Sequence, residues 1–199
     1  MYTEVVNLFT KSTYYDAIEE DFMKADFFHN HCILPQDTVY LMPALLEDDK
    51  KGTIIHTIQG ETTVPMHIKT VLKKYYRLSN VNEAFVRDMV YQCTNKKILF
   101  PIPIRPNIVL MPVKTRTADR TDNLYGYVNL AHIQKIIASG VLEFSSRIIF
   151  QNKSSLLTPQ TLRSLEHNYL CARYVQKNYF TACAEATAPY ESDHPSFLA

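Results

Sequence analysis

The sequence predicts an α+β fold built on a mainly antiparallel sheet, and three observations predict it. Runs rich in β-branched and aromatic residues come as neighbours separated by short turns, which is the pattern of hairpins. The amphipathic helical stretches are bunched in the middle and near the end of the chain. Strands and helices do not alternate regularly, so a parallel βαβ sheet is not indicated. The expected arrangement adds a basic central helical pair, a short helix after the last sheet strand and a long C-terminal helix. With 199 residues, 46% of them hydrophobic and 21% charged, the chain has the composition of a folded globular protein.

Residues 1–34 form an acidic amphipathic arm, with Tyr15, Ile18 and Phe22 at helical spacing and "IEED" between them, closed by Pro35. Its aromatics (Tyr14, Tyr15, Phe22, Phe27, Phe28) need a surface to pack on. "DTVYLMPALL" and "TIIHTIQ" then read as a hairpin around "EDDKKG", with Gly52 at its end, and "GETTVP" as a further turn and short strand. "MHIKTVLKKYYRL" follows as a basic amphipathic helix. Its apolar face is Ile68, Val71, Leu72 and Tyr75, and Lys69, Lys73, Lys74 and Arg77 lie mostly opposite. "SNVNEAFVRDMVYQC" continues helical behind a Ser/Asn cap, with Val81, Phe85, Val86 and Met89 turned inward.

"KKILFPIPI" and "NIVLMPV" make a second strand pair, and "YGYV" returns after the loop "KTRTADRTDNL". "NLAHIQKIIASG" reads as the short helix: Asn129 caps it, Leu130, Ile133, Ile136 and Ile137 form the stripe, and Gly140 suits the position just past its end. "VLEFSSRIIFQNKSSLLT" supplies two or three short strands with a turn at Asn152–Lys153. The long helix is "TPQTLRSLEHNYLCARYVQKNYF", with Thr158 as cap, Pro159 in its first turn, and Leu162, Leu165, Tyr169, Ala172 and Val175 inward. The main domain is expected over residues 35–182, with 183–199 as a mobile tail.

The net charge of +1 conceals a strong segregation. Residues 1–64 carry −7, residues 65–178 carry +11, and residues 179–199 carry −3. A basic middle between acidic ends is the footprint expected of a polyanion binder. Between residues 65 and 120, eleven Lys/Arg stand against three Asp/Glu. The four cysteines, Cys32, Cys93, Cys171 and Cys183, have neither a metal-ligand nor a disulfide-framework spacing and read as reduced thiols of a cytoplasmic protein. No secretory leader and no membrane-spanning run is expected.

Enzyme chemistry finds no motif: there is no nucleophile elbow, no phosphate loop, no dinucleotide fingerprint and no zinc-protease pair. "HNHC" (His29, His31, Cys32) is the one cluster of soft ligand types, and no further ligands are spaced to close a zinc site. The expectation is a non-enzyme without cofactor or metal. No helix-turn-helix glycine turn, zinc finger, basic zipper or ribonucleoprotein motif is present either.

Over roughly residues 38–180 the chain resembles the competence transcription factor (ComK) family. "TVYLMPALLEDDKKGTIIHT" is similar to the opening strands of that family. "LKKYYRLSNVNEAFVRD" matches its Cys-x-x-aromatic-Gly-x-Ser region, with Arg77 in place of the glycine and Arg87 matching the arginine. "ILFPIPI…NIVLMPV" corresponds to the proline-marked double strand, and "AHI" to the family's His-Ile element. The loop before "YGYV" is longer than in the family. Tyr125 replaces a cysteine and Tyr127 a tryptophan, and both read as scaffold. "FQNKSSLL…SLEHNYLCARY" parallels the closing strands and long helix.

The resemblance implies a sequence-specific transcriptional activator of DNA-uptake genes, binding paired AT-rich boxes of double-stranded DNA largely through the minor groove. It further implies a homodimer that becomes a tetramer on DNA, RNA polymerase as a partner at promoters, recognition by a MecA-type adaptor with Clp protease, no membrane, and a cytoplasmic, nucleoid-associated location. The DNA contacts expected here are Lys73, Lys74, Arg77, Arg87, Lys96, Lys97, Lys114, Arg116 and Arg120, with Lys114 to Arg120 entering the groove. Arg and Lys on a projecting loop suit a narrow, electronegative groove. The alternative reading is a diverged ComK-like protein-interaction module without DNA affinity.

Overall fold

The computed structural model describes residues 33–47, 50–115 and 125–187. The acidic arm before Ile33, the His29–His31–Cys32 cluster, the loop carrying Arg116 and Arg120, and the last residues of the tail lie outside the described residues. The expected α+β class is what the chain adopts. Six strands form one antiparallel sheet: β1 (Thr38–Leu45), β2 (Lys51–Thr57), β3 (Glu61–Val64), β4 (Ile102–Arg105), β5 (Ile108–Lys114) and β6 (Tyr125–Asn129). Their spatial order is β3-β2-β1-β6-β5-β4. A second antiparallel sheet, in the order β7-β8-β9, contains β7 (Ile133–Ala138), β8 (Ser146–Phe150) and β9 (Ser155–Thr158). The helices are α1 (Ile68–Leu78), α2 (Glu83–Thr94) and α3 (Leu162–Thr187). Helix α3 therefore runs past the boundary expected at residue 182.

Period-two patterning explains how the larger sheet is held. Along β5, Ile108 and Leu110 join a core with Val71, Leu72 and Tyr75 of α1 and Val86 and Val90 of α2. The intervening Val109, Met111 and Val113 join another core with Ile148 and Phe150 of β8 and Leu156 of β9. Successive strand residues point to opposite faces, so the sheet carries the helical pair on one side and the small sheet on the other. Helix α3 serves both cores, with Leu165 and Ala172 in the second and Val175 and Tyr179 in the first.

Three expectations change. The helix over residues 129–140 reduces to one 3-10 turn, Leu130–His132, followed by strand β7. Asn129 caps that turn as expected, its Oδ1 accepting from the Ala131 amide at 3.2 Å. Its Nδ2 meanwhile donates to the Thr38 carbonyl at 3.0 Å and ties the end of β6 to β1. The chain then leaves the turn extended, with Ile133 at φ −70° and ψ 120°, and pairs with β8 from Ile133–Phe150 to Ala138–Ser146. Ile133, Ile136 and Ile137 are β-branched, and a neighbouring strand with free hydrogen-bonding groups outcompetes their weak helix preference.

The long helix starts at Leu162, and Thr161 caps it, with Oγ1 accepting from the Ser164 amide at 3.3 Å. Thr158 instead ends β9 and donates to the Lys114 carbonyl at 2.7 Å. Phe85, expected inward, is half exposed and only borders the core through the Tyr179 ring, whereas Val90 is buried in its stead.

Two buried positions give direct tests. Gly126 of β6 sits so close to the Leu41 carbonyl of β1 and the Thr115 methyl that a Cβ has no room. Gly126→Ala is expected to lower stability by about 1–3 kcal/mol, as overpacking does, read as a lower urea midpoint at unchanged slope. The phenols of Tyr75, Tyr76 and Tyr127 are all pushed above the usual tyrosine value, chiefly by burial. A hydrogen bond with Thr38 opposes the shift at Tyr75. Above about pH 10 the unfolded chain loses these protons while the folded chain keeps them, so unfolding free energy falls as pH rises. The urea midpoint is expected to drop between about pH 9 and about pH 11; a flat profile would contradict the buried phenols.

Candidate nucleic-acid interface

The strongest cationic feature is the outer face of α1. Burial of Ile68, Val71, Leu72, Tyr75 and Tyr76 fixes the rotation of this helix. Lys69, Lys73 and Arg77 then fall at i, i+4 and i+8, one above another, and all three are exposed. Lys74 lies beside the row and is half-buried. The helix contains no acidic residue, and among the described residues no carboxylate pairs with Lys69, Lys73 or Arg77. Like charges at i, i+4 cost about 0.2–0.5 kcal/mol per pair. Each buried apolar side chain contributes about 1.5–3 kcal/mol. Packing of the five inner residues therefore holds the helix, and the cation row is a small net cost to it. Lys69 was not among the expected contacts, although the i, i+4 spacing to Lys73 and Arg77 was readable.

Arg87 stands on the solvent side of α2 and is already engaged, donating to Glu83 Oε1 at 2.9 Å one turn earlier. Both partners are well exposed, so the pair contributes little to stability and is easily exchanged. Asn82 starts α2 by accepting from the Ala84 and Phe85 amides at 2.9 and 3.2 Å. The helix ends at Asn95, whose left-handed φ of 54° turns the chain into Lys96 and Lys97. Lys97 is exposed and holds its ammonium over the Tyr91 ring, 5.6 Å from the centroid.

Lys96 and Lys97 are thus separate from the α1 row. They border a cleft at the end of the six-stranded sheet, together with Tyr125, Gln160, Ser164 and Asn168. Lys114 is half-buried at the end of β5 and pairs with Tyr125, the first residue of β6. The Lys114–Tyr125 rung is therefore the root of the basic loop. Its backbone is clamped on both polar groups. The amide donates to Gln160 Oε1 at 2.9 Å, and the carbonyl accepts from Thr158 Oγ1 at 2.7 Å. Tyr127 packs against the core of α1 and α2, and Tyr125 is half-buried.

The structure therefore groups the expected residues in three places. Lys73, Lys74 and Arg77 lie on α1, Arg87 on α2, and Lys96, Lys97 and Lys114 around the root of the loop; Arg116 and Arg120 lie outside the described residues. Among the described residues no group of His, Cys, Asp and Glu is arranged to hold a metal ion, and no helix is long and apolar enough to cross a membrane. No protein-family model matches the chain, and no curated protein and no solved structure matches it either.

Proposed function

We propose that this protein binds double-stranded DNA and acts as a ComK-like transcriptional activator of DNA-uptake genes. The observation that carries the reading is the α1 face: Lys69, Lys73 and Arg77 in a row, solvent-exposed, on a helix without a single carboxylate. From Lys69 to Arg77 the row covers about 12 Å of helix axis. One strand of duplex presents a phosphate every 3.4 Å or so, and a row of this length spans several. A helix that faced only water would gain more from alternating signs than from repulsion between like ones.

In this reading the α1 row and Arg87 hold phosphates along the groove. The loop rooted at Lys114 and Tyr125 brings Arg116 and Arg120 to the minor groove of AT-rich boxes. Phosphate contacts position the protein and carry no sequence information, so selectivity rests on the loop. Narrow AT tracts concentrate negative potential in the minor groove and favour inserted arginines. The chain has no motif for reading the major groove through a helix, which supports the same division of labour. Two boxes call for two copies of the chain, and promoter contacts with RNA polymerase and turnover through a MecA-type adaptor with Clp protease belong to the same proposal.

A gel-shift titration with duplex carrying paired A-tract and T-tract boxes, against a GC-rich duplex, tests the reading. Preferential binding to the AT-rich duplex in more than one shifted step is expected. Arg116→Ala with Arg120→Ala is expected to reduce that preference by about tenfold or more, at roughly 1–3 kcal/mol for lost readout contacts, while circular dichroism stays unchanged. Wild-type protein that binds neither duplex, or binds both without preference, would favour the protein-interaction module.

A further inference from the structure

The cleft at the root of the β5–β6 loop has a structural cause. Strand β4 pairs with β5 only from Ile108 to Leu110, so the outer edge of β5 beyond that point has no strand beside it among the described residues. Pro112, which has no amide hydrogen to offer, stands on this uncovered edge. Side chains from the turn before α3 and from α3 itself replace the missing strand: Gln160 accepts from the Lys114 amide at 2.9 Å, and Asn168 donates to the Pro112 carbonyl at 3.4 Å. The replacement is incomplete, and a cleft of about 360 Å³ remains.

Lys96, Lys97, Tyr125, Gln160, Ser164 and Asn168 line the cleft, and no carboxylate joins them among the described residues. Asn95 and Leu99 bracket the two lysines with left-handed φ values of 54° and 50°. For a bulky residue such as Leu99 this conformation is strained. Because Gln160 uses its Oε1 on Lys114, its Nε2 is the end turned to Ser164. That contact, at 3.4 Å, and the Asn168 contact, also at 3.4 Å, are long for hydrogen bonds. Two amide donors and the Ser164 hydroxyl are consequently underused beside two lysines, in an open cleft of a size that suits small ligands.

We propose that this cleft binds a small organic phosphate of about nucleoside-monophosphate size. The phosphate sits between Lys96 and Lys97, whose ammonium leaves the Tyr91 ring to reach it, and the donors of Gln160 and Ser164, and the planar part of the ligand lies against Tyr125. Tyr125 is one half of the Lys114–Tyr125 rung and Gln160 holds the amide of the other half, so an occupant touches the root of the basic loop. If the loop reads DNA, as proposed above, the ligand is an effector of that reading; its binding needs no DNA and stands apart from that function.

The test is isothermal titration calorimetry of the full-length protein, without DNA, using adenosine monophosphate, inorganic phosphate and adenosine as probes. Saturable one-to-one binding of adenosine monophosphate is expected, with weaker binding of the two halves. Lys96→Ala with Lys97→Ala is expected to weaken it by about tenfold or more, since charge-assisted hydrogen bonds contribute about 1.5–3 kcal/mol each. Gln160→Glu keeps an acceptor for the Lys114 amide but places a carboxylate in the cleft, and is expected to abolish binding. Lys135→Ala, on β7, is expected to bind as wild type does. No saturable heat, or equal losses in the lysine pair and Lys135→Ala, would overturn the proposal. Adenosine binding as tightly as its monophosphate would overturn the phosphate assignment.

Discussion

Burial of both faces of the six-stranded sheet at β1, β5 and β6 is the constraint from which the other features follow. Along β5 the side chains alternate between the helical core and the small-sheet core, and the same division separates Leu41 and Ile55 from Val39 and Val128. Over β1, β5 and β6 neither face is left for a ligand. The outer surfaces of the helices, the loops at the strand ends and the gaps where a strand stops short remain for recognition. The α1 row and the Lys96–Lys97 turn fall in those places. The α1 row is what remains of an amphipathic helix after its apolar half is committed to the sheet, and the Lys96–Lys97 turn lies where β4 begins too late to cover β5.

The same constraint makes the β5–β6 connection a suitable place for recognition. Its two strands are central in the sheet, with β1 and β4 on either side. Gly126 allows β6 to pass close to the Leu41 carbonyl, and Lys114 is held through both its amide and its carbonyl. A loop leaving such a root has firmly placed ends, which lowers the orientational cost of presenting arginines to a groove. Arg87 differs in kind: its bond to Glu83 must be exchanged for a phosphate, although an exposed pair yields it at little cost.

Much of this was legible in the sequence because the relevant signals are periodic. The apolar stripe of α1, the hairpin of β1 and β2, and the inward face of α3 at Leu165, Ala172 and Val175 all follow from spacing alone. What was not legible depended on partners distant in the chain. Residues 133–138 have an isoleucine pattern compatible with a helix, and only the presence of β8 decides for a strand. Thr158 has the chemistry of a helix cap, but the Lys114 carbonyl claims its hydroxyl and the cap passes to Thr161. Separation of Lys96 and Lys97 from the α1 row, and their meeting with Gln160 and Ser164, follow from where β4 starts, which no local pattern encodes. The acidic arm and the tips of the basic loop lie outside the described residues.

The account centres on phosphate neutralisation by the α1 row, and the salt dependence of DNA affinity measures it most directly. Each neutralised phosphate contributes about 0.9 to the slope of log K against log salt on duplex DNA. The account predicts a steep slope for the wild-type protein and a slope shallower by about 2 for Lys73→Ala with Arg77→Ala. The same slope in both proteins, or no DNA affinity at low salt in the wild type, would contradict it.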